Sequence, residues 1–157
     1  MGSRNINDLD PMILFLYHEF SRRMGEVKLS YAVTSTSRSV IEQMALYVQG
    51  RLSLSDVNIF RNVARLPLIA ISGNVKVTWT LNSKHVTNMF DDDLNNNKAR
   101  AFDIAIIGKQ GQAVWDIKVS VNDNEIPDYD EAGEIGESVG LKWGGRFSQP
   151  DRPHFEI

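Results

Sequence analysis

Apolar positions change their period several times along the chain, and each change marks an element. Ile13, Leu16, Tyr17, Phe20 and Met24 recur at the spacing that stacks side chains on one face of a helix. Asn7, Asp8 or Asp10 can cap that helix, Pro11 suits its first turn, and Gly25 ends it. LSYAVTSTS, 29–37, is rich in β-branched and aromatic residues and reads as a strand. Ser37 then caps a helix over RSVIEQMALYVQG, with Ile41, Met44, Ala45 and Val48 as its apolar face. Residues 51–75 are ambiguous: VNIFRNVARL has helical periodicity, and Pro67 breaks it. VKVTWTL, 75–81, is strand-like.

The second half begins with a polar acidic loop, FDDDLNNNK at 90–98. AFDIAIIG, 101–108, is a short apolar strand, KQG turns the chain, and QAVWDIKVSV, 112–121, returns as the other arm of a hairpin. DYDEAGEIGESVGL, 128–141, reads as a helix with Ile135 and Val139 inward and acids at its start, where the macrodipole favours them. WGGRF turns the chain towards its last segment. With no repeat and no Pro-, Gly- or Ser-rich linker, the pattern predicts one α+β domain over 1–157, a small antiparallel sheet with flanking helices. Residues 1–6 read as a disordered or cloning-derived tail.

Composition narrows the chemistry. The 157 residues are 42% hydrophobic and 24% charged, which suits a single compact domain. The net charge of −3, with no basic stripe interleaved with aromatics, argues against nucleic acid as a partner. There is no cysteine, so thiolate metal sites and thiol nucleophiles are excluded, and a transition-metal site must come from His, Asp and Glu. Met12 to Tyr17 is too short to span a bilayer, and no basic region leads into a long apolar run. The expectation is a monomer made in the cytoplasm without a signal peptide and not inserted in a membrane.

Three stretches carry candidate chemistry. Asp103 sits inside the apolar strand AFDIAII, where a carboxylate needs a partner; an ion pair to Arg100 or Arg38 and a metal are both open. SKH, 83–85, lies at the end of the strand TWTLN, and DRPH, 151–154, places an acid three residues before a His, with prolines on both sides. Together these sites supply two His and one Asp, a three-ligand set for a catalytic zinc, and leave Asp151 free as a general base. The remaining histidine, His18, lies in the first helix beside Tyr17 and reads as structural.

In order, SKH, RAFDIAI, IGESVGLKWGGRF and DRPHFE closely resemble the zinc peptidoglycan peptidases. That family comprises D-Ala-D-Ala carboxypeptidases, D-Ala-D-Ala dipeptidases and phage L-alanyl-D-glutamate endopeptidases, and shares a fold with the hedgehog signalling domain. The likeness runs from Leu29 to the C-terminus, and the phage endolysin branch is nearest. It implies Zn2+-dependent hydrolysis of the peptidoglycan stem peptide, first at the L-Ala–D-Glu bond, by an enzyme that acts on the wall after release. The alternatives are a D-Ala-D-Ala carboxypeptidase or dipeptidase and, from another class, a non-catalytic wall-binding module. Carried onto this chain, the resemblance makes His85, Asp103 and His154 the zinc ligands and Asp151 the base. Arg38 would polarise the scissile carbonyl or hold a carboxylate, Ser83 would support the ligands or touch substrate, and Gln43 and Trp143 would shape the cleft.

One feature departs from the family pattern, which places the Asp seven residues after the first His. Asp103 follows His85 by 18 residues, and Asp92 falls at seven. Asp103 is preferred because its strand matches in type, with 88–99 as an inserted acidic loop whose closure cost grows only slowly with length. Asp91, Asp92 and Asp93 offer hard oxygen ligands suited to Ca2+, against the simpler reading of a solvated loop at the cleft rim.

Overall fold

A computed structural model describes residues 2–87 and 98–157. The long apolar period at the start forms α1 (Pro11–Glu26), capped by the Asp10 carboxylate, which accepts from the Met12 N–H. After it come β1 (Tyr31–Ser35), α2 (Val40–Val48), α3 (Leu54–Val63), β2 (Ala101–Ile107), β3 (Ala113–Val114), α4 (Asp128–Val139), β4 (Lys142–Trp143) and β5 (His154–Glu156). The sheet is antiparallel, in the order β1-β2-β5-β4, with β3 also paired to β2.

Strand periodicity divides β2 between two environments. Phe102, Ile104 and Ile106 point into the core with Phe20 and Met24 of α1, Tyr129 and Ala132 of α4, and Phe155 of β5. Phe102 lies opposite Phe155 in register, their rings stacked with centroids 5.3 Å apart. Successive strand residues face opposite sides, so Asp103 faces away from this core, directly opposite His154. Helix α4 comes close to the sheet because it presents glycines. A Cβ on Gly133 would lie 2.3 Å from the Trp143 ring, and one on Gly136 would lie 2.5 Å from the Phe155 ring. Ile135 and Val139 pack against the same core, partly buried.

Several expectations are corrected. Ser39, not Ser37, caps α2, in a capping box with Glu42. The buried face of α2 carries Glu42, Gln43 and Ala45, while Ile41 and Met44 are exposed, because polar groups of the neighbouring segment occupy that side. Residues 75–81 join no strand: Thr78 and Thr80 give their carbonyls to the Arg51 and Gln43 side chains. The hairpin's return arm ends at Val114, after which Trp115 and Ile117 are exposed and Asp116 forms a local turn to the Lys118 N–H. The ambiguous stretch resolves into α3, capped by Ser53. Residues 2–6 are not a loose tail in the fold: Ser3 exchanges backbone bonds with Ser37 and Thr36. No helix among the described residues is long and apolar enough to cross a membrane.

Candidate metal centre

The sheet delivers two side chains to one point by register alone. Asp103 of β2 and His154 of β5 are paired residues on the face away from the aromatic core. The third arrives by a different route. The turn Ser83–Val86 is laid against the start of α2, with Arg38 N–H donating to the His85 carbonyl at 2.9 Å. Ser83 holds that turn, its hydroxyl accepting from the His85 N–H at 3.3 Å.

The result is a tight cluster. His85 Nε2 lies 3.0 Å from Asp103 Oδ1 and 3.2 Å from His154 Nδ1, and His154 Nδ1 lies 2.9 Å from Asp103 Oδ1. Among the described residues these three form the group of His and acid side chains able to hold a metal ion. A tetrahedral centre with bonds of about 2.0–2.1 Å sets its ligand atoms about 3.3–3.4 Å apart, slightly more than the spacing found here.

The outer partners select which nitrogens point inward. His85 Nδ1 faces the Thr36 carbonyl at 2.7 Å, a contact that requires N–H there and leaves the lone pair on Nε2. His154 Nε2 faces Glu156 Oε2 at 3.1 Å, so that nitrogen carries the proton and Nδ1 has the lone pair. Two nitrogen lone pairs and a carboxylate oxygen therefore converge, an arrangement that repels itself unless a cation sits among them. In the metal-free protein a proton answers this need. Burial opposes charge on His154, but the Asp103 and Glu156 carboxylates prevail and raise its pKa to about 9. Asp103 is likewise pushed up by burial, yet the two histidines hold it well below the usual carboxylate range. The donor set of two neutral imidazoles and one carboxylate is one that zinc accepts.

The remaining sequence-derived residues are placed as follows. Arg38 Nη2 donates to Asp103 Oδ2 at 2.9 Å, so the ion pair and the metal-capable cluster use different oxygens of one carboxylate. Gln43 is fully buried: its carbonyl oxygen accepts from Arg38, and its amide donates to Thr78 Oγ1 and Thr80 O. It props Arg38 and the 78–80 backbone and does not line the cleft. Trp143 is also buried and away from the cleft lining; its indole N–H donates to Arg152 O at 2.8 Å and steadies the DRPH turn. Asp151 lies on the lip as an exposed residue, with its backbone tied to Gly144 O and to the His154 N–H. Its pKa is raised by partial burial and by the negative charge of Asp103. Gly144 is required at that turn, since a Cβ there would lie 2.3 Å from Asp151 O. His18 is exposed on α1 with its ring against Tyr17. Asp91, Asp92 and Asp93 lie outside the described residues.

All of this opens into a cleft of about 620 Å³ whose walls include Lys76–Thr80, Trp115 and Phe147–Asp151. Sequence reasoning missed Thr36, whose contribution is a backbone carbonyl with no side-chain signature. It also missed Phe147, whose ring lies 5.8 Å from that of His154, and the cleft wall at Lys76 and Trp79.

Three comparisons bear on this arrangement. Residues 95–157 match a family model described as D-alanyl-D-alanine carboxypeptidase. The peptidoglycan L-alanyl-D-glutamate endopeptidase CwlK of Bacillus subtilis is 26% identical over 152 residues, covering 96% of this chain and 74% of the relative. The crystal structure of the Serratia marcescens L-Ala D-Glu endopeptidase ChiX shares the fold, with a TM-score of 0.56 and 14% identity over 100% of this chain and 88% of that one. Sequence and fold thus point the same way: residues 95–157 match the D-alanyl-D-alanine carboxypeptidase model, and the chain as a whole is similar to two L-Ala–D-Glu endopeptidases.

Proposed function

We propose that the protein is a zinc-dependent peptidase that hydrolyses the stem peptide of peptidoglycan, first at the L-Ala–D-Glu bond. The observation that carries this reading is the convergence of His85 Nε2, Asp103 Oδ1 and His154 Nδ1 within 3.2 Å of one another at a cleft with Asp151 on its lip. The choice of bond is supported by the similarity to CwlK and ChiX, both named for L-Ala–D-Glu cleavage.

His85, Asp103 and His154 would hold the ion, and their three positions leave a side open to the cleft. Bound there, zinc supplies Lewis acidity to a water and to the scissile carbonyl. Asp151 takes the proton from the attacking water and returns it to the leaving amine; its raised pKa brings it closer to the working pH of such a base. Thr36 and Glu156 hold the imidazoles in the ligating tautomers. Arg38 orients Asp103 through its second oxygen, and a guanidinium beside the reacting carbonyl can also stabilise its developing negative charge.

The family model's own description favours a second reading, removal of a terminal D-Ala. Mass spectrometry of fragments released from purified peptidoglycan, with and without a chelator, separates the two. Chelator-sensitive products beginning with D-Glu support the endopeptidase, and chelator-sensitive loss of terminal D-Ala replaces it with the carboxypeptidase. The absence of any new fragment at saturating zinc refutes both and leaves a wall-binding module. A lytic role of the endolysin type rests on the sequence resemblance, and turbidity loss of outer-membrane-permeabilised cells on addition of the protein tests it.

A further inference from the structure

The cleft wall at 75–82 has a strand-like composition and no strand partner. Val75, Val77, Trp79 and Leu81 are all exposed, so its alternation serves no sheet among the described residues. The segment is nevertheless fixed from behind. Gln43 donates to Thr80 O at 2.7 Å and Arg51 to Thr78 O at 3.1 Å. Behind Lys76, Gly50 adopts φ +70°, and a Cβ on it would lie 2.4 Å from the Lys76 nitrogen, so the two backbones are in contact. Asn74 adds a bond from the Gly50 N–H at 2.7 Å. A wall braced this closely presents its outward side chains in a prepared position, which lowers the ordering cost of binding.

Its outward cation is Lys76. Arg38, another cation lining the cleft, is engaged by Asp103. Lys76 has no carboxylate partner among the described residues. Its ammonium stands 5.5 Å from the centre of the Trp79 ring, a cation–π contact that leaves its donors to the cleft. The protein carries a net charge of −3, and the cleft is lined by Asp103 and, on its lip, Asp151, so an acidic peptide entering here needs a local positive group.

We propose that Lys76, steadied over Trp79, is a specificity-determining residue of the cleft and binds a free carboxylate of the acidic stem peptide, outside the bond that is cut. This rests on the stem-peptide reading above. The stem offers such groups at the α-carboxylate of γ-linked D-Glu and at the terminal D-Ala.

The test uses the tetrapeptide L-Ala–γ-D-Glu–L-Lys–D-Ala and two derivatives, each with one of those carboxylates converted to the amide. Hydrolysis by the zinc-loaded protein and binding to the zinc-free protein, followed by calorimetry, are measured for wild type, Lys76→Met and Lys76→Arg. The expected result is a rise of about fivefold in KM and in Kd for Lys76→Met on the all-acid peptide, the scale of a solvent-accessible ion pair. The loss appears in KM and not kcat, Lys76→Arg restores it, and one of the two amides costs wild type the same factor while costing Lys76→Met nothing. Equal KM and Kd for wild type and Lys76→Met on the all-acid peptide overturn the proposal, as does an amidation penalty of the same size in both. Wild type that cleaves none of the peptides sinks the hydrolytic reading alone, because the zinc-free binding comparison still decides the subsite.

Discussion

Glu156 is the residue whose removal most directly tests the logic of the metal centre, because its carboxylate bonds a ligand without being one. Its Oε2 lies 3.1 Å from His154 Nε2, and this contact keeps Nδ1 as the inward lone pair. Two variants grade the effect. Glu156→Gln keeps an acceptor at the same reach but loses the charge that makes His154 more basic. Glu156→Ala removes the acceptor, so the ring loses its tautomer preference and its orientation. Loss of such an outer partner weakens metal binding by about 10- to 100-fold, or about 1.4–2.8 kcal/mol. The half-buried Glu156 should place Gln near the lower end and Ala near the upper. The assay is competition for zinc against a chromophoric chelator at fixed pH, with the thermal midpoint of the zinc-free protein as a control for general damage. Zinc affinity of Glu156→Ala equal to wild type would refute the reasoning, since His154 would then need no second partner to present Nδ1.

Three further outcomes are expected. Asp151→Asn should retain zinc, read by metal analysis, and lose about 10²- to 10⁴-fold in kcat on stem peptide; near-normal turnover would remove Asp151 from the role of base. Gly133→Ala forces a methyl against the Trp143 ring and should lower stability by about 1–3 kcal/mol in a denaturant titration, with zinc affinity falling less than the fold's stability. The raised pKa of His154 also has a sign. A group whose pKa rises from 6.5 to about 9 on folding stabilises the metal-free protein fully below pH 6.5 and loses that contribution as pH climbs through 9. Denaturation in chelator should therefore show falling stability across that window, while zinc binding, which needs the neutral ring, should strengthen and release about one proton measurable by buffer-dependent calorimetry.

Local pattern was enough for the elements that carry the site. The three- and four-residue period of α1, the apolar run of β2 and the acid-rich start of α4 each describe a segment whose neighbours agree with its own preference. The buried acid at Asp103 was legible because a carboxylate inside AFDIAII needs a partner: the ion pair is made by Arg38 at one oxygen, while the two histidines lie against the other. The failures share a cause. VKVTWTL has the composition of a strand, but strand formation needs an edge to pair with, and two of its carbonyls went instead to the side chains of Gln43 and Arg51, 37 and 27 positions away in sequence. The apolar face assigned to α2 fails at Ile41 and Met44, though not at Ala45, for the same reason, since Gln43 is buried by its hydrogen bonds and not by hydropathy.

The chain alone therefore determines the inventory of chemistry. Three histidines, no cysteine and an acid in an apolar strand restrict any transition-metal centre to imidazole and carboxylate ligands, whatever the fold. It also determines that Asp103 and its neighbours Phe102 and Ile104 must face opposite ways, because side chains alternate along a strand. Tertiary structure alone decides that His154 lies across from Asp103, that the Ser83 turn rests on the start of α2, and that Thr36 and Glu156 choose the inward nitrogens. His154 and Asp103 are 51 positions apart and His85 and Thr36 are 49 apart, and no local propensity encodes the register that brings them within hydrogen-bond distance; only Glu156, two residues from His154 on the same strand face, is a local partner.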